Sequence, residues 1–207
     1  MNAKFFFLVA AASFLGVTVG KASVTGVSWD YSGGIICYAP LWDSSGDVAV
    51  DGYQSGMGVV GGTITTSDTT DPILTIANTI DNDSLFAWTE YIVNVSMNTS
   101  FTILSADATA PPGWAAGITQ PGAPVAGIYT GTIDYVGGIP VAVYPAANSE
   151  LDFDYKVSFS GSTSYSLTEN VMPVPEPATF SLLALGGLVL GGKALGRRRQ
   201  GQRDPAV

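Results

Sequence analysis

From residue 150 to 159 the chain alternates without a break, with Leu151, Phe153, Tyr155, Val157 and Phe159 on one side and Glu150, Asp152, Asp154, Lys156 and Ser158 on the other. A period of two sends successive side chains to opposite faces, so this stretch predicts a half-buried strand. Tyr91, Val93, Val95 and Met97 repeat the pattern against Glu90, Asn94 and Ser96, with Ile92 the exception. Shorter apolar stretches bounded by Gly, Pro, Asn or Asp predict strands at 24–29, 35–38, 59–65, 73–80, 101–104, 128–135, 141–144 and 163–167. Between them no useful length of chain repeats at the helical period. Parallel sheets need crossover helices, so short strands at this spacing predict an all-β, antiparallel β-sandwich.

Connectivity stays open between immunoglobulin-like and jelly-roll, because the paired cysteines and packed Trp of true immunoglobulin domains are missing. Gly33-Gly34, Gly61-Gly62 and Gly137-Gly138 mark turns or bulges. Residues 110–124, with four prolines, predict the longest loop.

Both ends of the chain depart from this pattern. Lys4 precedes an apolar run at 5–19, and Gly20 and Ala22 put small residues where a signal peptidase reads, which predicts a signal peptide over 1–22 cleaved after Ala22, or alternatively after Gly20. Those fifteen apolar residues reach only about 22 Å as a helix, against about 30 Å of hydrocarbon. Residues 178–195 carry a single charge, Lys193, and are long enough for about 27 Å of helix, so a transmembrane helix is predicted over 178–196. Arg197, Arg198, Arg199 and Arg203 follow, and the positive-inside rule makes 197–207 a basic cytoplasmic tail with the preceding domain outside. A core helix would show an apolar stripe, whereas 180–190 is apolar on nearly every face.

Ahead of the span stands Pro175-Glu176-Pro177, whose prolines lack backbone donors and hold the chain extended. Residues 173–177 are therefore expected to be a Pro-rich linker outside the sheet. Triplet, apolar span and arginine cluster, in that order over 174–199, resemble the PEP-CTERM sorting domain of exported bacterial proteins. The resemblance implies a sorting motif at Pro175, Glu176 and Pro177 and a basic anchor at Arg197, Arg198 and Arg199. It also implies recognition and processing by exosortase, a membrane enzyme with a cysteine nucleophile. The setting it implies is a Gram-negative-type bacterium: an inner-membrane anchored precursor, then the cell surface or an extracellular matrix, with extracellular polysaccharide as a partner. A glycosylphosphatidylinositol signal would lack the basic cluster, and no LPxTG motif is present.

With the targeting segments set aside, residues 23–172 are the size of one domain. Lys156 is its single cation against fifteen carboxylates, so its charge is −14, well beyond the whole-chain −9. Nucleic acid calls for the opposite sign and is excluded as a partner. Cys37 is the chain's one cysteine, so no internal disulfide forms, and its neighbours Ile35, Ile36 and Tyr38 make it a buried small hydrophobe.

Histidine is absent, which removes Ser-His-Asp and Cys-His catalysis and histidine-ligated zinc. Lys156 lies on a strand's solvent face among acids, where it serves as a charge partner. Glu150, Asp152 and Asp154 share one face about 6.8 Å apart, near a glycosidase separation, but the same spacing describes a solvated strand face. Calcium is the cation an oxygen-only donor set takes, and Asp81-Asn82-Asp83, Asp43 with Asp47 and Asp51, and Asp68 with Asp71 are its candidates. None forms an EF-hand, and turn chemistry also explains them. Trp114, after Pro111-Pro112-Gly113, is the candidate for stacking on a sugar, though large aromatics usually bury and a Trp closing one end of the core fits the same place; Trp42 and Tyr53 lie in other loop-like stretches. The expectation is a non-catalytic, cofactor-free exported surface or matrix protein, with a carbohydrate-binding module as the alternative and a small glycan hydrolase behind it.

Overall fold

The computed structural model describes residues 22–70 and 73–176. Residues 1–21 of the predicted signal peptide, Asp71, Pro177, the predicted span and the arginine cluster lie outside the described residues. Among those described, the chain is all-β: β1 (Val24–Cys37), β2 (Leu41–Trp42), β3 (Asp47–Thr66), β4 (Ile73–Asn82), β5 (Trp88–Met97), β6 (Phe101–Ala110), β7 (Ala115–Thr119), β8 (Tyr129–Val141), β9 (Glu150–Phe159) and β10 (Ser164–Pro175). No helix in this region is long and apolar enough to cross a membrane.

Hydrogen bonding joins all ten strands into one sheet in the order β6-β9-β4-β3-β10-β5-β8-β7, with β1 and β2 also on β3. The twenty-residue β3 explains how. Its first half, Asp47 to Gln54, pairs with β4, and its second half, Gly58 to Thr65, pairs with β10. β1 runs along the opposite edge of both halves, with a register shift at Gly33/Ile35 beside the β3 bend. The predicted strands at 24–29 and 35–38 are thus one strand carried through the Gly33-Gly34 bulge.

The expected antiparallel arrangement needs one correction, since β3 and β4 pair in parallel. Parallel neighbours require a crossover, and here the second half of β3 supplies it without a helix, leaving β4 to take up the first half's open edge. Gln54, fully buried, holds the bend: its Nε2 donates to the Gly56 carbonyl at 2.7 Å and its Oε1 accepts from the Tyr91 hydroxyl.

Curling brings strands that are not neighbours into contact across one core. Tyr91 of β5 and Tyr135 of β8 lie 5.2 and 4.8 Å from Phe153 of β9, and Phe159 of β9 lies 4.1 Å from Tyr165 of β10, ring centre to ring centre. The two ends of the path, β6 and β7, are stitched by one side chain. Gln120 donates from Nε2 to the Ile103 carbonyl at 2.6 Å and accepts the Ile103 N–H on Oε1 at 3.0 Å, as a strand residue would. The sheet is therefore nearly a barrel.

Candidate functional site

The sorting motif begins inside the sheet. Pro173, Val174 and Pro175 stand opposite Tyr91, Glu90 and Trp88 of β5, and the Glu176 N–H donates to the Ala87 carbonyl at 3.1 Å. The expected linker at 173–177 is corrected accordingly: Pro173 to Pro175 are the last residues of β10. Pairing with β3 stops at Val171, so the prolines occupy a stretch with a ladder on the β5 side alone, and strands tolerate proline at such edges.

Trp114 does not form an exposed stacking platform. Its indole is 5% exposed and donates from Nε1 to the Ile139 carbonyl at 2.7 Å. It fills the space over Gly137, where any Cβ would collide with the indole ring. Trp42 is 40% exposed, and Tyr53 packs edge-on against Tyr38 with their hydroxyls 3.2 Å apart. Sharing a hydrogen bond with Tyr38, with the Tyr38 charge adding to it, pushes the Tyr53 phenol up to about 12.

Glu150, Asp152 and Asp154 lie together on the outer face of β9, as the alternation predicts. Asp152 accepts a hydrogen bond from the Thr79 hydroxyl at 2.8 Å. Asp154 stands opposite Asp107, and partial burial raises its pKa, with Lys156 opposing and Asp107 reinforcing the shift. Pairing adds Asp81 opposite Glu150, and places Asp51 beside Thr79 and Asp47 beside Thr75. The outer face of β6, β9, β4 and the first half of β3 is therefore acidic. Among the described residues no group of three or more His, Cys, Asp or Glu is arranged to hold a metal ion.

The calcium candidates serve turns. Asp43 Oδ1 accepts from the Ser45 hydroxyl at 2.6 Å and from the Ser45 and Gly46 N–H groups, and the Ser45 hydrogen bond leads in lowering its pKa. Asp68 caps Thr70 in the same manner. Asn82 is fully buried: Nδ2 donates to the Phe86 and Val141 carbonyls, and Oδ1 accepts from Ser84.

The outer face of β10, β5 and β8 differs in kind. Register lines up Thr168, Ser96 and Thr130 in one row and Asn170, Asn94 and Thr132 in the next. Ser96 and Thr130 hydroxyls lie 2.9 Å apart, and Thr132 donates to Asn94 Oδ1 at 2.8 Å. At its β1 side a groove of about 190 Å³ opens over Gly61, lined by Asp30, Tyr31, Ser32 and Thr168. On the β8 side burial, followed by the neighbouring Asp134 charge, pushes the Glu90 carboxyl up.

One functional-looking group escaped the sequence reading. Glu169 is 1% exposed, accepts from the Tyr155 hydroxyl at 2.6 Å, and is pushed up to about 7 by burial, against the pull of Tyr155 and Asn78. Asn78 is itself buried, at 3% exposure. Tyr91, Tyr135 and Tyr155 surround the same carboxyl, and burial raises each phenol. Cys37 is buried as expected, and desolvation pushes its thiol up to about 12, which keeps it neutral. These groups are buried in the core, where they act on stability.

Compared with known proteins, residues 173–200 match the family model of the PEP-CTERM protein-sorting motif. The chain thus bears a PEP-CTERM protein-sorting motif, which implies an exported, exosortase-targeted protein whose membrane-anchored precursor is processed to the cell surface. No curated protein and no solved structure matches it.

Proposed function

We propose that this is a non-catalytic component of the cell surface or extracellular matrix of a Gram-negative-type bacterium. Signal peptidase removes 1–22, the span at 178–196 holds the precursor, and exosortase processes it beside Pro175, Glu176 and Pro177. The carrying observation is the sorting-motif match, which starts in the last three residues of β10 and leaves only Glu176 and Pro177 before the apolar run. The fold reading that accompanies it is a sandwich, with β6, β9 and β4 facing β10, β5 and β8, supported by the ring contacts of Phe153. The non-catalytic reading is supported by the missing histidine and by carboxylates engaged in turns and cross-strand pairs.

The test is processing in the producing cell, followed by immunoblotting of membrane and surface fractions. Replacing Glu176 with Ala, or removing exosortase, is expected to leave full-length chain in the membrane fraction. Unchanged release in both strains would sink the reading.

The groove supports a second reading, a carbohydrate-binding module. A half-exposed tyrosine beside a carboxylate and two hydroxyls is a combination that packs on a sugar face and takes its hydroxyl hydrogen bonds. Tyr31→Ala is expected to weaken retention on an extracellular-polysaccharide affinity gel at least several-fold with the melting temperature unchanged. Equal retention would remove this reading.

A further inference from the structure

The chain leaves the domain at a definite place. Register puts the β3 bend (residues 55–57), the β4–β5 turn (83–87), the β8–β9 connection (142–149) and the end of β10 at one end of the curled sheet, since Gln54 faces Asn82, Gly58 faces Val171, Trp88 faces Val141 and Pro175, and Asp81 faces Glu150. The N-terminal start of β1, at Val24, lies at the opposite end with Thr66.

At this exit end the last anchored group is Glu176, bonded to Ala87, and the apolar run begins at Ala178. Two residues of extended chain reach at most about 7 Å. The headgroup region on one side of a bilayer is about 5–8 Å thick. A domain tied this closely to a membrane-entering segment has no room to stand off, so its exit end meets the headgroups.

The side chains there suit that contact. Leu85 is 87% exposed, Met57 66% and Tyr144 52%. Leu85 and Tyr144 are held out by a built turn rather than a loose loop: Asn82 clamps Phe86, Ser84 Oγ accepts the Trp88 indole N–H at 3.0 Å, and the Tyr144 N–H donates to the Asn82 carbonyl at 2.8 Å. Leucine and methionine gain by leaving water, and tyrosine favours the interface where its ring is buried and its hydroxyl stays wet. Asp83 and Glu176, with the Asp81–Glu150 pair beside them, make this end acidic, which favours a zwitterionic over an anionic lipid surface.

We propose that the exit end is a bilayer-contact surface, with Leu85, Met57 and Tyr144 seated in the headgroup layer of the anchored precursor. It rests on the reading of 178–196 as a membrane anchor, and the experiment separates the two. Full-length chain carrying Leu85→Cys is labelled with an environment-sensitive fluorophore and reconstituted in phosphatidylcholine vesicles containing a headgroup-region quencher lipid. The buried Cys37 stays unlabelled in the folded protein, and Val125→Cys, 79% exposed at the opposite end, is the control.

The expected result is blue-shifted emission and several-fold stronger quenching at position 85 than at 125. Equal, water-like emission at both positions in chain that floats with the vesicles overturns the contact surface, leaves the anchor standing and assigns the patch to a protein partner. Chain that does not float overturns both.

Discussion

Glu169 is a carboxyl in a place built for aromatic rings, and its behaviour with pH follows from that. Below its ordinary value of 4.5 both folded and unfolded chains hold the proton. As pH rises the unfolded chain releases it first, while burial keeps the folded group protonated until about 7. Stability is therefore greatest on the acid side of this window and falls across it, by something on the order of 3 kcal/mol at about 1.4 kcal/mol per pH unit. The surface turn acids Asp43 and Asp68 act with the opposite sign, because their values are lowered; their contribution is lost only as pH falls below 3.8, outside the window. Glu169→Gln, which keeps the shape and the Tyr155 contact, is expected to flatten the slope and stabilise the domain on the alkaline side. Urea denaturation of both proteins below and above the window measures it, and a wild type that gains stability across the window would refute the assignment. The inward direction of Glu169 was legible from Tyr165 and Leu167, whose alternation continues through it to Val171. Its charge hid it among the surface acids.

Among the elements, β9 was read end to end because its two faces differ in every residue pair. β3 was read only as 59–65, because Gly52, Gly56, Gly58, Gly61 and Gly62 dilute its period. Those glycines are explained by partners far off in sequence: Gly61 has a positive φ of 150°, and a Cβ there would run into the Leu167 carbonyl of β10. The parallel β3–β4 pair had no local signal at all, since the crossover is itself a strand. Prolines misled at β10, where Pro173 and Pro175 sit on a stretch with an open side and cost the ladder little. Trp114 carried two readings in sequence, a stacking platform or a Trp closing the core, and the missing side chain of Gly137 on β8 is what lets the indole turn inward. The sorting motif was legible in full from residue order alone, because its parts are contiguous and meant for a partner. Gln120, which closes the sheet, gave no sign in sequence: one amide outside any strand acquires its role from where Ile103 ends up.

At the scale of the molecule the charge is arranged, not merely large. Asp47, Asp51, Asp81, Asp107, Glu150, Asp152 and Asp154 share one outer face with Lys156, while rows of Ser, Thr and Asn cover β10, β5 and β8. Like charges directly across a ladder, as in Asp107 with Asp154, destabilise a sheet. Screening relieves such repulsion, and most of the relief comes early, since the Debye length is already about 10 Å at 0.1 M salt and about 3 Å at 1 M. Sodium chloride is therefore expected to raise the melting temperature steeply at first and then level off. A general salting effect would instead keep growing with concentration. Asp107→Asn removes one member of this cross-strand pair and should raise the low-salt melting temperature while shrinking the early rise. Thermal unfolding of both proteins across a salt series decides between the two causes. A wild-type curve without the early steep phase, or an Asn variant with an unchanged one, would mean that this face tolerates its charge through solvent alone.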